Sequence, residues 1–206
     1  MANRAKLPRG LLPASGLLLT VTVVGLIRTG NMEFVFYLAV LLVLAGLVIV
    51  AHRRVQFSTS TLWLLFVWAV AHLAGGLVRV PAGWPTEGDS RVLYSLWLIP
   101  GWLKYDHLVH AFGFGVSTRV CFEGLLATAS VKPRTPAARS LILFAALSAL
   151  GLGAANELVE FVATLLIPDT NVGGYRNTGW DLVSNLFGVL VASMVLWTCG
   201  RPERPQ

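Results

Sequence analysis

The chain has 206 residues, of which 55% are hydrophobic and 13% charged, and its mean hydropathy is +0.70. Soluble domains carry about a quarter charged residues, so a soluble globular protein is excluded and an integral membrane protein is indicated. The formal charge of +6 comes from basic residues flanking apolar runs. That pattern suits anionic inner-leaflet lipid and gives no reason to expect nucleic acid as a partner.

Residues 11–27, 34–51 and 61–80 are apolar runs long enough to cross a hydrocarbon core of ~30 Å as helices. Arg28 and Thr29 follow the first run where a cleavable signal would carry a small-residue site, so it is expected to be an uncleaved span. Residues 81–104 hold Trp84, Tyr94, Trp97 and Trp102, matching an aromatic belt with a short interfacial helix or re-entrant segment. Residues 106–128, 140–167 and 181–199 complete a predicted set of six spans. The fourth is the least apolar, because Asp106, His107, His110, Arg119 and Glu123 all penalise insertion. Between the last two spans, residues 168–180 are polar and Gly-rich, a lid-like segment in which Thr178 to Asp181 reads as a capping box opening the final helix. Cys121 and Cys199 fall inside spans as two separate buried thiols, and no disulfide framework is expected.

These runs leave room for a single domain, residues 1–206, in an all-α polytopic bundle. Ten of the sixteen basic residues fall on one side: Arg4, Lys6, Arg9, Arg53, Arg54, Lys132, Arg134, Arg139, Arg201 and Arg204. The positive-inside rule then places both termini in the cytoplasm of a multi-pass protein of the inner (plasma) membrane.

Ionisable residues at bilayer depth are expensive and mark sites. Here they are His72, Asp106, His107, His110, Glu157, Glu160, Asp169 and Asp181. Counted inward from the predicted outer span ends at 1.5 Å per residue, His110 lies ~6 Å deep, Glu160 ~10 Å, His72 ~12 Å and Glu157 ~15 Å. Separate segments therefore contribute to one layer in the outer half of the bilayer. Asp106 and His110 are spaced i,i+4, and Glu157 and Glu160 i,i+3, so each pair projects from one helix face. Small residues beside them (Gly75, Gly76, Gly113, Ser117, Gly188) turn these faces toward other helices.

Imidazole with carboxylate suits zinc, iron or manganese. His72, His107, His110, Glu157 and Glu160 are the predicted ligands, Glu157, Asp106 and Asp181 the candidate catalytic carboxylates, and Asn185, Asp169 and Thr178 supporting groups. A structural reading stands beside each. His72 alone suits a neutral core histidine bonded to a carbonyl, and Asp106 and Asp181 suit helix N-termini. Asp169 and Asn171 suit an ordinary turn. Arg119 and Glu123, spaced i,i+4, are expected to pair structurally.

The ordered series His72-x-x-Gly75-Gly76, Tyr105-Asp106-x-x-x-His110, Glu157-x-x-Glu160 and Thr178-x-x-Asp181-x-x-x-Asn185-x-x-Gly188 resembles the YjdF-type family of bacterial inner-membrane proteins. More remotely it is similar to VanZ-like proteins. The resemblance covers about residues 60–195 and implies the bundle fold and the choice of site residues. Through VanZ it implies a loose connection with cell-envelope glycopeptide resistance, and it implies no reaction. Three functions suit the residues: a metal-dependent hydrolase or transferase acting on a lipid or lipid-linked envelope precursor, a proton or divalent-cation transporter, and a non-catalytic lipid-binding or assembly factor.

Overall fold

The computed structural model describes residues 7–30, 32–88, 90–167, 170 and 172–199. It is an all-α membrane bundle of six helices: α1 (Leu11–Thr29), α2 (Met32–Val55), α3 (Thr59–Leu77), α4 (Tyr105–Thr128), α5 (Pro136–Leu166) and α6 (Tyr175–Cys199). Five of them are long and apolar enough to cross a membrane. The exception is α4, whose 24 residues suffice in length but whose charged groups lower its hydropathy. This helix lies at the centre, packed on α6, α5 and α3. Its polar side chains therefore face other helices, and the apolar side chains that cover the outside of the bundle come from its neighbours. Leu17 and Ile27 of α1, Leu158 and Leu165 of α5, and Phe187 and Met194 of α6 all point outward.

The helix starts follow local chemistry. Ser58 caps α3, its hydroxyl accepting from the Thr61 amide at 3.3 Å. Thr135 does the same for Ala138 at 3.2 Å, with Pro136 opening α5, where a missing N–H leaves nothing unpaired. The final helix begins earlier than expected. The amides of Asn177 and Thr178 already donate to the Gly174 carbonyl, so Thr178 and Asp181 lie inside α6 and do not form its cap.

The segment between α3 and α4 also departs from expectation. In place of an interfacial helix it forms a 3-10 turn (Leu93–Ser95) followed by an antiparallel hairpin, β1 (Trp97–Ile99) with β2 (Leu103–Lys104). Gly101 turns the hairpin with φ 76°. Trp84, Ile99 and Trp102 stay exposed, as expected of side chains at a membrane–water boundary. Cys121 is half-buried and Cys199 exposed, and both thiols are free, so the expectation of two buried thiols holds for neither.

Close helix packing rests on one glycine above all. A Cβ at Gly188 of α6 would collide with the Ala111 carbonyl oxygen of α4, so only glycine lets these two backbones touch. At the end opposite the hairpin, Glu123 accepts from the Ser58 amide (2.9 Å), Ser58 Oγ (2.8 Å), Thr61 Oγ1 (2.6 Å) and Arg119 Nε (3.2 Å). The expected Arg119–Glu123 pair is thus part of a clasp that ties α4 to the start of α3.

Candidate functional site

The C-terminal ends of α3 and α5 and the N-terminal ends of α4 and α6 meet at the hairpin end of the bundle. Along their helices, at 1.5 Å per residue, His72 and His110 lie ~8 Å from these ends, Asp181 and Glu160 ~9 Å and Glu157 ~14 Å. The polar residues thus occupy one level.

His110 is the hub. It is 8% exposed, with its Nε2 3.6 Å from Asp106 Oδ1 and 3.7 Å from Glu160 Oε1. On the other edge of the ring, Nδ1 donates to Asn185 Oδ1 at 3.1 Å and lies 3.8 Å from Glu157 Oε1. An amide oxygen only accepts, so Nδ1 carries the proton and the Nε2 lone pair faces Asp106 and Glu160. Ligand atoms of Asp106, His110 and Asp181 lie within 4.8 Å of one another, as do those of His110, Glu157 and Glu160.

The separations around Nε2 exceed a hydrogen bond, which spans about 2.7–3.2 Å. They approach the ~3.4 Å between neighbouring ligands of a tetrahedral ion with bonds of ~2.1 Å. Both carboxylate oxygens of Glu157, Oδ1 of Asp181 and Nδ2 of Asn185 are buried without a hydrogen-bond partner. Buried polar atoms are normally satisfied, so the donor set and its orphaned oxygens fit a divalent cation. Asn156 supports Glu160, donating to its Oε1 at 2.8 Å.

The remaining predicted residues have other partners. His107 lies on another face of α4, where Nδ1 accepts from the Lys104 amide at 3.2 Å and so caps the helix. Its ring sits between Trp97 and Trp180, outside both groups of potential ligands. His72 shares a 2.6 Å hydrogen bond with the Tyr94 hydroxyl and stacks on Trp68. It too is outside those groups, though it lines the same cavity as His110. Thr178 lies inside the first turn of α6, its amide donating to the Gly174 carbonyl at 3.2 Å. Asp169 and Asn171 lie outside the described residues.

Three contributors were not singled out from the sequence. Lys104 is 5% exposed. Its Nζ binds Glu87 at 2.8 Å and Asn177 Oδ1, and stands 3.8 Å from Asp106. It ties the connecting loop, α4 and α6 together over the site. Asn177 in turn donates to Asp181 Oδ2 at 2.6 Å. Tyr94 drops its ring onto Gly75, where a Cβ would collide with it. Burial, aided by the charges of Asp106 and Glu160, holds the Tyr94 hydroxyl well above its ordinary pKa of 10. It remains a donor, so His72 Nδ1 accepts. A sequence signal existed only for Lys104, a lone cation beside the polar start of α4.

Beside the hub opens a cavity of about 90 Å³ lined by Glu33 and Tyr37 of α2, His72, Asp106, His110 and Glu160, among others. At ~15 Å³ of such space per water it holds several waters. On the far side of the hub, Phe114, Ala149 and Val189 form a buried apolar cluster.

No curated protein and no solved structure matches the chain. The family described as Predicted membrane protein (DUF2238) matches residues 11–202. That is nearly the whole length, and the chain belongs to this family of membrane proteins.

Proposed function

We propose that the protein spans the inner membrane six times with both termini in the cytoplasm, and that its His/carboxylate cluster, in the outer half of the bilayer, is the divalent-metal site of a hydrolase or transferase acting on a lipid or lipid-linked envelope precursor. The observation that carries this reading is the hub: His110 Nε2 directed at Asp106 and Glu160, with the two oxygens of half-buried Glu157 enclosed and making no hydrogen bond. Unpaired carboxylates at this depth are costly, and a dication offsets them.

His110, Glu160 and Asp106 would hold the ion, whose chemistry when bound is Lewis acidity. Asn185 fixes the His110 tautomer and ring orientation, as groups bonded to a ligating imidazole do. Glu157, whose Oε1 lies 3.8 Å from His110 Nδ1, is the residue to take a proton from an attacking water or hydroxyl. Asp181, held by Asn177, returns a proton to the leaving group. Transport is less well supported, because Phe114, Ala149 and Val189 lie between the hub and the Arg119–Glu123 clasp.

Elemental analysis of the purified protein tests the reading. Wild type is expected to carry stoichiometric zinc, iron or manganese, with loss in His110→Ala and Glu160→Gln variants that still unfold cooperatively. Folded wild type free of metal after growth and purification without chelators would remove the mechanism. Cation or proton flux in proteoliposomes would replace it with transport.

A further inference from the structure

The second transmembrane helix, α2, meets its surroundings in an unusual way. Its buried residues are Glu33, Phe34 and His52, at the two ends, while the middle stands away from the bundle. Across that middle run Tyr37, Val40, Leu41 and Leu44, spaced i, i+3, i+4 and i+7, so they form one stripe. All four line the same cavity as His110 and Glu160. From Glu33 to Leu44 the stripe is ~16 Å long. It passes from carboxylates to hydrocarbon, and Leu44 remains 41% exposed, so the apolar end opens toward the acyl chains. Across from it lie Val109 and Phe114 of α4 and Val159 of α5.

We infer that this space is a slot for one hydrocarbon chain of a membrane lipid, which enters sideways between α2 and the α4–α5 pair and brings an uncharged or cationic head group to the His110 cluster. Charge decides the head group. Glu33, Asp106 and Glu160 line the polar end, with Glu157 and Asp181 close behind. The nearest lysine, Lys104, is committed to Glu87 and Asn177. Against these carboxylates stand only Lys104 and, when bound, a single dication, so a phosphate finds more acceptors than cations here. A hydroxyl, amide or ammonium finds Asn156 and the carboxylates as partners. The inference rests on the proposed site and narrows its substrate to lipids whose reacting end carries no negative charge.

Spin-labelled stearoyl lipids, with a glycerol ester, a trimethylammonium or a phosphate head, are titrated into the purified full-length protein, and the immobilised fraction is read by electron paramagnetic resonance. Wild type is expected to hold the first two roughly ten-fold more tightly than the phosphate lipid. Leu44→Trp, which fills the open end, is expected to weaken binding by about ten-fold or more. Leu47→Trp, on the same helix at an exposed position outside the cavity lining, leaves it unchanged. Equal binding by wild type and Leu44→Trp, or a preference for the phosphate lipid, would overturn the inference. Metal content is measured on the same samples. Metal present without selective lipid binding defeats the slot alone, whereas selective binding without metal supports the slot and defeats the enzyme.

Discussion

Replacing Tyr94 by Phe removes one oxygen and leaves the ring that fills the space over Gly75. What is lost is the 2.6 Å bond to His72 Nδ1. A buried polar atom left unsatisfied costs about 1–3 kcal/mol. Side-chain hydrogen bonds in membrane proteins average only ~0.6 kcal/mol, with a maximum near 1.7, because the unfolded chain in the membrane finds other partners. His72 is boxed by Trp68, Tyr37 and Tyr94 rings, which leaves its Nδ1 few substitutes. The expected loss is therefore near the upper end, about 1–2 kcal/mol. Equilibrium unfolding in mixed micelles reads it. A second arm uses pH. Burial raises the Tyr94 pKa well above 10, so the folded protein keeps a proton that the unfolded chain releases near pH 10. The associated stabilisation is complete below pH 10 and declines as pH rises toward the raised native value. Wild type should thus show a steeper alkaline fall in stability than Tyr94→Phe. A variant within about 0.3 kcal/mol of wild type and with the same alkaline slope would refute the reasoning.

Two further substitutions test the packing. Gly188→Ala places a methyl on the Ala111 carbonyl of α4. The obstacle is backbone, so the loss should reach the upper part of the ~1–3 kcal/mol range for overpacking. Gly151→Ala, with nothing within 4 Å, should gain ~0.5–1 kcal/mol, and thermal unfolding in detergent compares the two. Glu123→Gln removes the charge that four donors converge on at the far end of α4. A cost of about 2–3 kcal/mol is expected, below that of a fully buried pair because Arg119 is partly exposed. Its metal content should equal that of wild type, and a drop would link the clasp to the site.

Much of the architecture was legible from hydropathy, because helices in lipid advertise themselves by length and apolar content. The common level of His72, His110, Glu157 and Glu160 was legible too, since it follows from helical rise alone. The start of α6 was not. Tyr175 to Trp180 read as a polar loop, yet they are helical, because Asn177 finds Lys104 and Asp181 as partners. His107 and His110 have the same chemistry and sit one turn apart. Only the rotation of α4 decides that one caps the helix and the other faces the cluster. The hairpin escaped notice because its strands are three and two residues long, too short for alternation to register.

The central position of α4 has a consequence for biogenesis. Near mid-bilayer, Arg or Asp costs about 2.5–3.5 kcal/mol on insertion scales, and α4 carries Arg119 and Glu123 besides its polar first turns. Presented alone to the translocon, it would not partition into lipid. Part of its shelter, Ser58 and Thr61, precedes it in the chain, but Asn185 and Asp181 are synthesised only with the last helix. On the six-span reading proposed above, insertion is therefore collective, the fourth segment being fully enclosed only once the sixth has been made.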